Sequence, residues 1–228
     1  MEPGNILPAG RGEPVRLTRS TVEACFRLHP RPGRRLLANG PEELALRGDH
    51  DLNPELRPAG SLTAAAVLVP LIERTDGIKV LLTLRTPHLH AHAGQISFPG
   101  GRVDEIDADP TAAALREAEE EVGIPRDRVA VIGRLDTYWT RTGFEIVPVV
   151  GFIDPTVTFR PDPFEVAEIF EAPLDFLADE ANHERRSREF QGRLRHFYAM
   201  LWDRYTIWGA TAGMLVNLAE LLREERCD

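Results

Sequence analysis

Cysteine is nearly missing from this chain: 228 residues contain two, Cys25 and Cys227, near opposite ends. They have neither metal-ligand spacing nor a disulfide framework, which argues against a thiolate metal centre or a stapled secreted scaffold and predicts a reducing compartment. Long hydrophobic runs are lacking as well. A membrane span needs about 18 consecutive apolar residues, and the longest candidate, LTAAAVLVPLI from Leu62 to Ile72, is shorter and interrupted by Pro70. No membrane partner is expected. The first residues lack the basic, apolar, small-residue order of a secretory signal, so a cytoplasmic location is expected. Excess positive charge is also absent. With 27 Lys+Arg against 36 Asp+Glu the formal net charge is -9, and nucleic acid is not an expected partner because its binding depends on basic surface displacing counterions. No internal repeat or low-complexity tract appears.

What is present suits one enzyme domain with a modest extension. The length allows one substantial core, and 43% hydrophobic with 28% charged residues is ordinary globular composition. Residues 1–60 are rich in Pro, Gly and Arg and read as a partly ordered extension with one short helix, Ala24 to Leu28, behind a Ser20/Glu23 capping box. An arm without a catalytic role is expected there. From Thr63 onward strand patterns begin. Ala64 to Pro70 and Ile78 to Thr83 read as a hairpin about Thr75, Asp76 and Gly77, with further strands at Arg128 to Leu135 and Ile146 to Ile153. Strands on both sides of a central helix, then helices near the end, predict an α/β fold with a mixed sheet sandwiched between helices over residues 61–225.

The most informative stretch is GGRVDEIDADPTAAALREAEEEVGI, Gly100 to Ile124. Asp109 is a preferred N-cap, Pro110 suits the first helical position, and Gly123 stands where a left-handed terminator is expected. Between them the roughly 100° advance per residue gathers Glu117, Glu120 and Glu121 on one side and Leu115, Ala118 and Val122 on the other. Such an acidic face is most often merely solvated. Here, however, the like charges stand one turn apart with no lysine to relieve them, and they lie near the helix C-terminus, where the macrodipole disfavours negative charge. A bound divalent cation reverses both penalties, and carboxylate oxygens suit Mg²⁺ or Mn²⁺ held together with a substrate's phosphates.

These residues resemble the Nudix box, Gly, five residues, Glu, seven residues, then REUxEExGU with U apolar. Arg116, Glu117, Ala118, Glu120, Glu121, Gly123 and Ile124 fill the second half, while Asp107 replaces the first Glu and eight residues separate it from Arg116. That departure resembles the coenzyme A diphosphatase branch. So does the upstream LLTLRTPHLHAHAGQISFPGG from Leu81 to Gly101, which matches the branch signature except mainly at Thr86, where Ser is common. The GRLDTYWTRTGFEIVPVVGFI, EVAEIFEAPL and YTIWGATAGML stretches extend the likeness over most of the chain beyond about Leu62.

The resemblance implies a Mg²⁺- or Mn²⁺-dependent hydrolase of a small-molecule diphosphate, coenzyme A or a derivative, giving 3′,5′-ADP and 4′-phosphopantetheine or its acyl form. The same box also serves ADP-ribose, dinucleotides and nucleotide sugars, and a Nudix fold that has lost catalysis serves as a ligand-sensing module. Glu117 and Glu121 are the expected metal pair, Glu120 an additional ligand, and Gly101 a backbone-carbonyl ligand. Arg116 is expected to orient a carboxylate by a charge-assisted fork. The general base is expected either from the box or from a distant acidic loop residue, for which Glu165 is the matching position. Asp107 either supports the site from behind or caps its loop. Arg85 either contacts a substrate phosphate or forms a surface ion pair. His88 and His90 read as loop residues, since Mg²⁺ does not prefer histidine, whereas His92 matches the signature and joins Gly100 and Gly101 as a substrate-binding candidate. Trp208, Gly209 and Gly213, read as lying on an apolar helix, are packing residues first and a homodimer contact second.

Overall fold

The computed structural model describes residues 16–28, 34–35, 43–44, 47–58, 60–88, 94–190 and 192–224. The sheet that positions the site grows outward from strand β1, Thr63–Arg74, and strand β2, Gly77–Arg85, which meet in a tight antiparallel hairpin ending in the Arg74↔Gly77 pair. Short strands β3, Ile96–Ser97, and β4, Gly100–Arg102, pair with β2 and β1 respectively. Helix α2, Pro110–Val122, follows; the earlier α1 is Arg19–Leu28. Strands β5, Val129–Arg134, β6, Tyr138–Trp139, β7, Phe144–Ile153, and β8, Val166–Pro173, complete a mixed sheet ordered β8-β2-β1-β7-β6, with Arg47–Gly48 at its far edge. β7 runs parallel to β1, and its other neighbours in the sheet run antiparallel to it.

Alternation along the strands decides which layer each residue feeds. Ala66, Leu68 and Ile72 of β1 and Val149 and Ile153 of β7 face α2, where Ala113, Ala114, Ala118 and Val122 are buried. Three alanines on that helix face let it lie close to the sheet. Val69, Leu71, Val80, Leu82, Val150 and Phe152 point the other way, toward α1, the short α3, Leu174–Leu177, and α4, Ala210–Glu224. The expected sheet between helices is therefore what the molecule has. No helix among the described residues is long and apolar enough to cross a membrane.

Four sequence readings need correction. β1 does not stop at Pro70 but continues to Arg74. One edge of β1 is shared by β4, over Ala65–Val67, and β2, over Leu71–Arg74, so Pro70 falls in the gap between the two ladders, where its missing N–H is not called on. Helix α1 starts at Arg19, and the hydroxyl of Thr18, not Ser20, accepts the N–H of Thr21 at 3.2 Å. Its Val22, Cys25 and Phe26 are buried in the same core as α4. Near the end, where helices were expected, a three-stranded antiparallel sheet intervenes: β9, Glu184–Phe190, β10, Arg193–Trp202, and β11, Tyr205–Trp208. Trp208 therefore sits on a strand, Gly209 turns the chain with φ 67, and Gly213 alone of the three lies inside α4.

Candidate active site

Helix α2 is fixed at both ends before its glutamates matter. Asp109 accepts the N–H of Ala112 at 2.8 Å, and Arg134 of β5 holds Asp109 at 2.9 Å and the Thr111 hydroxyl at 2.6 Å. At the other end Gly123 adopts φ 70, a left-handed conformation open to glycine at little cost. The next residues to arrive are not neighbours in sequence. Arg160 donates its N–H to the Val122 carbonyl at 2.9 Å and Asp162 to the Glu121 carbonyl at 2.8 Å, so a distant loop occupies carbonyls that a helix end leaves without partners.

Arg116 is the hub of the acidic face. Only 7% exposed, it forks onto Asp107 with Nε to Oδ1 at 3.0 Å and Nη2 to Oδ2 at 2.9 Å. Nη1 donates to Glu117 at 2.9 Å and to Glu120 at 3.2 Å, and Nη2 also reaches the Arg102 carbonyl at 3.1 Å. Asp107 meanwhile accepts the Asp104 N–H at 2.9 Å, so it supports Arg116 and caps its own loop at once. The Arg116 guanidinium, followed by that backbone donor, holds the Asp107 carboxyl down at about 2.

Glu121 lives in the opposite environment. It is 5% exposed and accepts the Gly100 N–H at 3.2 Å, while Nη1 of Arg85 stands 3.8 Å away. Burial pushes its carboxyl up to about 8 against the pull of Gly100 and Arg85, and Glu165 and Glu117 add like-charge repulsion. Glu117 is also raised, chiefly by desolvation and against the pull of Arg116. Its carboxylate lies over Gly101, where an added Cβ would stand 2.4 Å from Oε1 and push the carboxylate aside.

The β2–β8 ladder completes the constellation. Val166 pairs with Arg85, which places Glu165, one residue earlier, beside the end of β2. Its Oε2 is 3.8 Å from Nη2 of Arg85, so one guanidinium faces Glu121 and Glu165 together, with a buried Nε that has no hydrogen-bond partner among the described residues. Gly100, Gly101, Glu117, Glu120, Glu121, Arg116, Arg85 and Glu165 thus share one site. His92 lies outside the described residues. Among the described residues no three His, Cys, Asp or Glu converge as a metal cage, and Arg116 holds Glu117 and Glu120 in ion pairs of its own. The donor types themselves fit a hard cation: three carboxylates, of which the buried Glu121 is repelled by its neighbours.

The NUDIX domain family matches residues 62–191. Over 155 residues the chain is 43% identical to the uncharacterized Nudix hydrolase NudL of Escherichia coli K12, a match covering 68% of this chain and 80% of that one. The chain belongs to the Nudix family. As a Nudix hydrolase it acts on phosphoric anhydride bonds. Among solved structures, the M. smegmatis Nudix hydrolase RenU is 25% identical, with a TM-score of 0.42 over 53% of this chain and 76% of that one. A C. elegans Ap4A hydrolase complex is 19% identical, with a TM-score of 0.41 over 49% and 80%. Two residues that hold the loop beside this constellation escaped sequence reasoning. Asp162 and the buried Thr86 both bond the loop that carries Glu165, and the signal lay in Thr86 standing where the branch signature has another hydroxyl.

Proposed function

We propose that the chain is a Mg²⁺- or Mn²⁺-dependent diphosphatase of coenzyme A or its derivatives, releasing 3′,5′-ADP and 4′-phosphopantetheine or the acylated form. The observation that supports this reading is that both halves of the branch signature meet at one box carboxylate. Arg85, at the end of LLTLR, and Gly100, in FPGG, both approach Glu121.

Glu117, Glu120 and Glu121, with the Gly101 carbonyl, would hold the cation. When bound, it supplies Lewis-acid neutralisation of the diphosphate oxygens and lowers the pKa of a bound water. Arg116 orients Glu117 and Glu120 by direct hydrogen bonds. Arg85, whose terminal nitrogens stand between Glu121 and Glu165, contacts a diphosphate oxygen as charge shifts toward the leaving group. Glu165, on the far side of Arg85, takes the proton of the attacking water as general base. Residues 94–101 bring backbone to the rest of the substrate, and His92 is assigned to substrate binding by its match to the branch signature alone.

The test is a panel of coenzyme A, acetyl-CoA, ADP-ribose, a diadenosine polyphosphate and a nucleotide sugar, each with Mg²⁺ or Mn²⁺ and again with EDTA. Coenzyme A or its thioester is expected to be the best substrate, with 3′,5′-ADP as product and activity abolished by EDTA. Efficient cleavage of another member while the CoA compounds stay intact overturns the substrate assignment. Binding without turnover of any member overturns catalysis in favour of ligand sensing.

A further inference from the structure

The loop carrying Glu165 is tied down at two points, and each tie leads back to a different part of the site. On one side Asp162 donates its N–H to the carbonyl of Glu121, the most buried glutamate of α2. Asp162 then folds the loop about itself: Oδ1 accepts the Phe164 N–H at 2.9 Å, and its carbonyl accepts the N–H of Glu165 at 3.1 Å and of Val166 at 2.8 Å. On the other side Thr86, 4% exposed, donates its hydroxyl to the Phe164 carbonyl at 2.8 Å and its own N–H to the Glu165 carbonyl at 3.0 Å. His88 adds an edge-on ring contact to Phe164 with centroids 5.0 Å apart.

We infer that Thr86 and Asp162 are positioning residues for Glu165. They clamp its backbone between the end of β2 and the last turn of α2, so the base and the box carboxylates keep one geometry. The inference rests on Glu165 acting as base. Neither side chain is aimed at a reacting atom; each acts through the loop. The arrangement is over-determined for a surface turn. Glu165 has both its N–H and its C=O bonded, while its side chain, 42% exposed, is left to face Arg85. A ligating helix and a base on separate elements gain from such a tie, because displacements of about 1 Å cost up to about 10²-fold in rate.

The experiment is a set of cycles run on whichever diphosphate the wild-type enzyme hydrolyses fastest, so the fate of the coenzyme A assignment does not touch it. Thr86→Val and Asp162→Ala are each expected to lower kcat about tenfold or more with KM changed less than about twofold, the pattern of an interaction felt mainly in the transition state. Thr86→Ser and Asp162→Asn, which keep the hydroxyl and the turn-forming acceptor, are expected to recover to within about threefold of wild type. In a Glu165→Gln background neither Thr86→Val nor Asp162→Ala should cost more than about twofold, since their target is gone. Equal losses in the Glu165→Gln and wild-type backgrounds, or an unchanged kcat in folded Thr86→Val, overturn the inference. A Glu165→Gln enzyme with unaltered kcat and pH profile overturns the base assignment and the clamp with it. Should Asp162→Ala not fold, the Thr86 Val/Ser pair decides alone.

Discussion

The two ends of the acidic face on α2 carry the same residue type under opposite electrostatic regimes. Toward the helix start, Arg116 is saturated: it satisfies Asp107, Glu117, Glu120 and a backbone carbonyl at 3.2 Å or less. Toward the helix end, Glu121 is more enclosed yet has one backbone donor and an arginine at 3.8 Å. The first end is a finished network, which fixes side chains. The second is left short of positive charge, which stores a binding preference for a cation. One end is closed by hydrogen bonds and the other is electrostatically open, one turn apart.

The sharpest way to break that comparison is Glu121→Gln. It keeps the acceptor for Gly100 and removes the charge, and should lower kcat by roughly three orders of magnitude while the protein stays folded. Near-normal turnover would remove Glu121 from the metal set. Arg116→Met attacks the finished end instead. It strands carboxylates that were paired, so Tm should drop by about 5 °C or more, and kcat should fall about 10- to 100-fold through lost orientation of Glu117 and Glu120. If Tm holds, Arg116 is not the hub its contacts describe.

pH separates the ends in sign. Glu121 is raised from 4.5 to about 8 in the fold, so its contribution is fully present below about 4.5 and is lost as pH rises toward and through 8. Metal-free protein should therefore lose Tm as the medium is made more alkaline from about pH 4.5 to about 8, and Glu121→Gln should flatten that limb and melt several degrees higher near pH 9. Adding Mn²⁺ should raise the wild-type Tm at pH 8 and the variant's much less. Asp107 runs the other way. Lowered from 3.8 to about 2, it contributes above its unfolded value and loses that contribution as pH falls through about 2. Asp107→Asn should thus blunt the acid limb and leave the alkaline one intact. Differential scanning of the two variants across pH checks both signs.

What could be read in advance follows the range of the forces involved. The bounds of α2 were legible because Asp109, Pro110 and Gly123 act on their own backbone. The hairpin was legible because Thr75, Asp76 and Gly77 sit between two apolar runs. Pro70 misled because its tolerance depends on which of two strands pairs at that point, information held in Gly100 to Arg102 and Val80. The β9–β10 hairpin was hidden because Glu184 to Arg195 puts arginines on both faces, at Arg185 and Arg186, and erases the alternation a half-buried strand shows. Within the site, the glutamates were visible through helical spacing. The approach of Glu165 to Arg85 was not visible from spacing, since the two lie 80 positions apart in the chain and only the β2–β8 register brings them together.

The smallest effect belongs to Glu120, and it sharpens the comparison most. Its side chain is 57% exposed and its bond to Arg116 runs through solvent-screened space, so as a mere partner of Arg116 it should matter little: Glu120→Gln should shift Tm by less than about 1 °C. As a ligand it must swing off Arg116, leaving that arginine its Asp107 fork and Glu117, which suffice to keep it seated. Glu120→Gln should then weaken Mn²⁺ binding, read by titration without substrate, and lower kcat a few-fold at limiting metal, with saturating metal restoring most of it. Unchanged Mn²⁺ affinity would leave Glu120 with the finished end of the helix and put the metal's remaining coordination on Glu117, Glu121 and the Gly101 carbonyl.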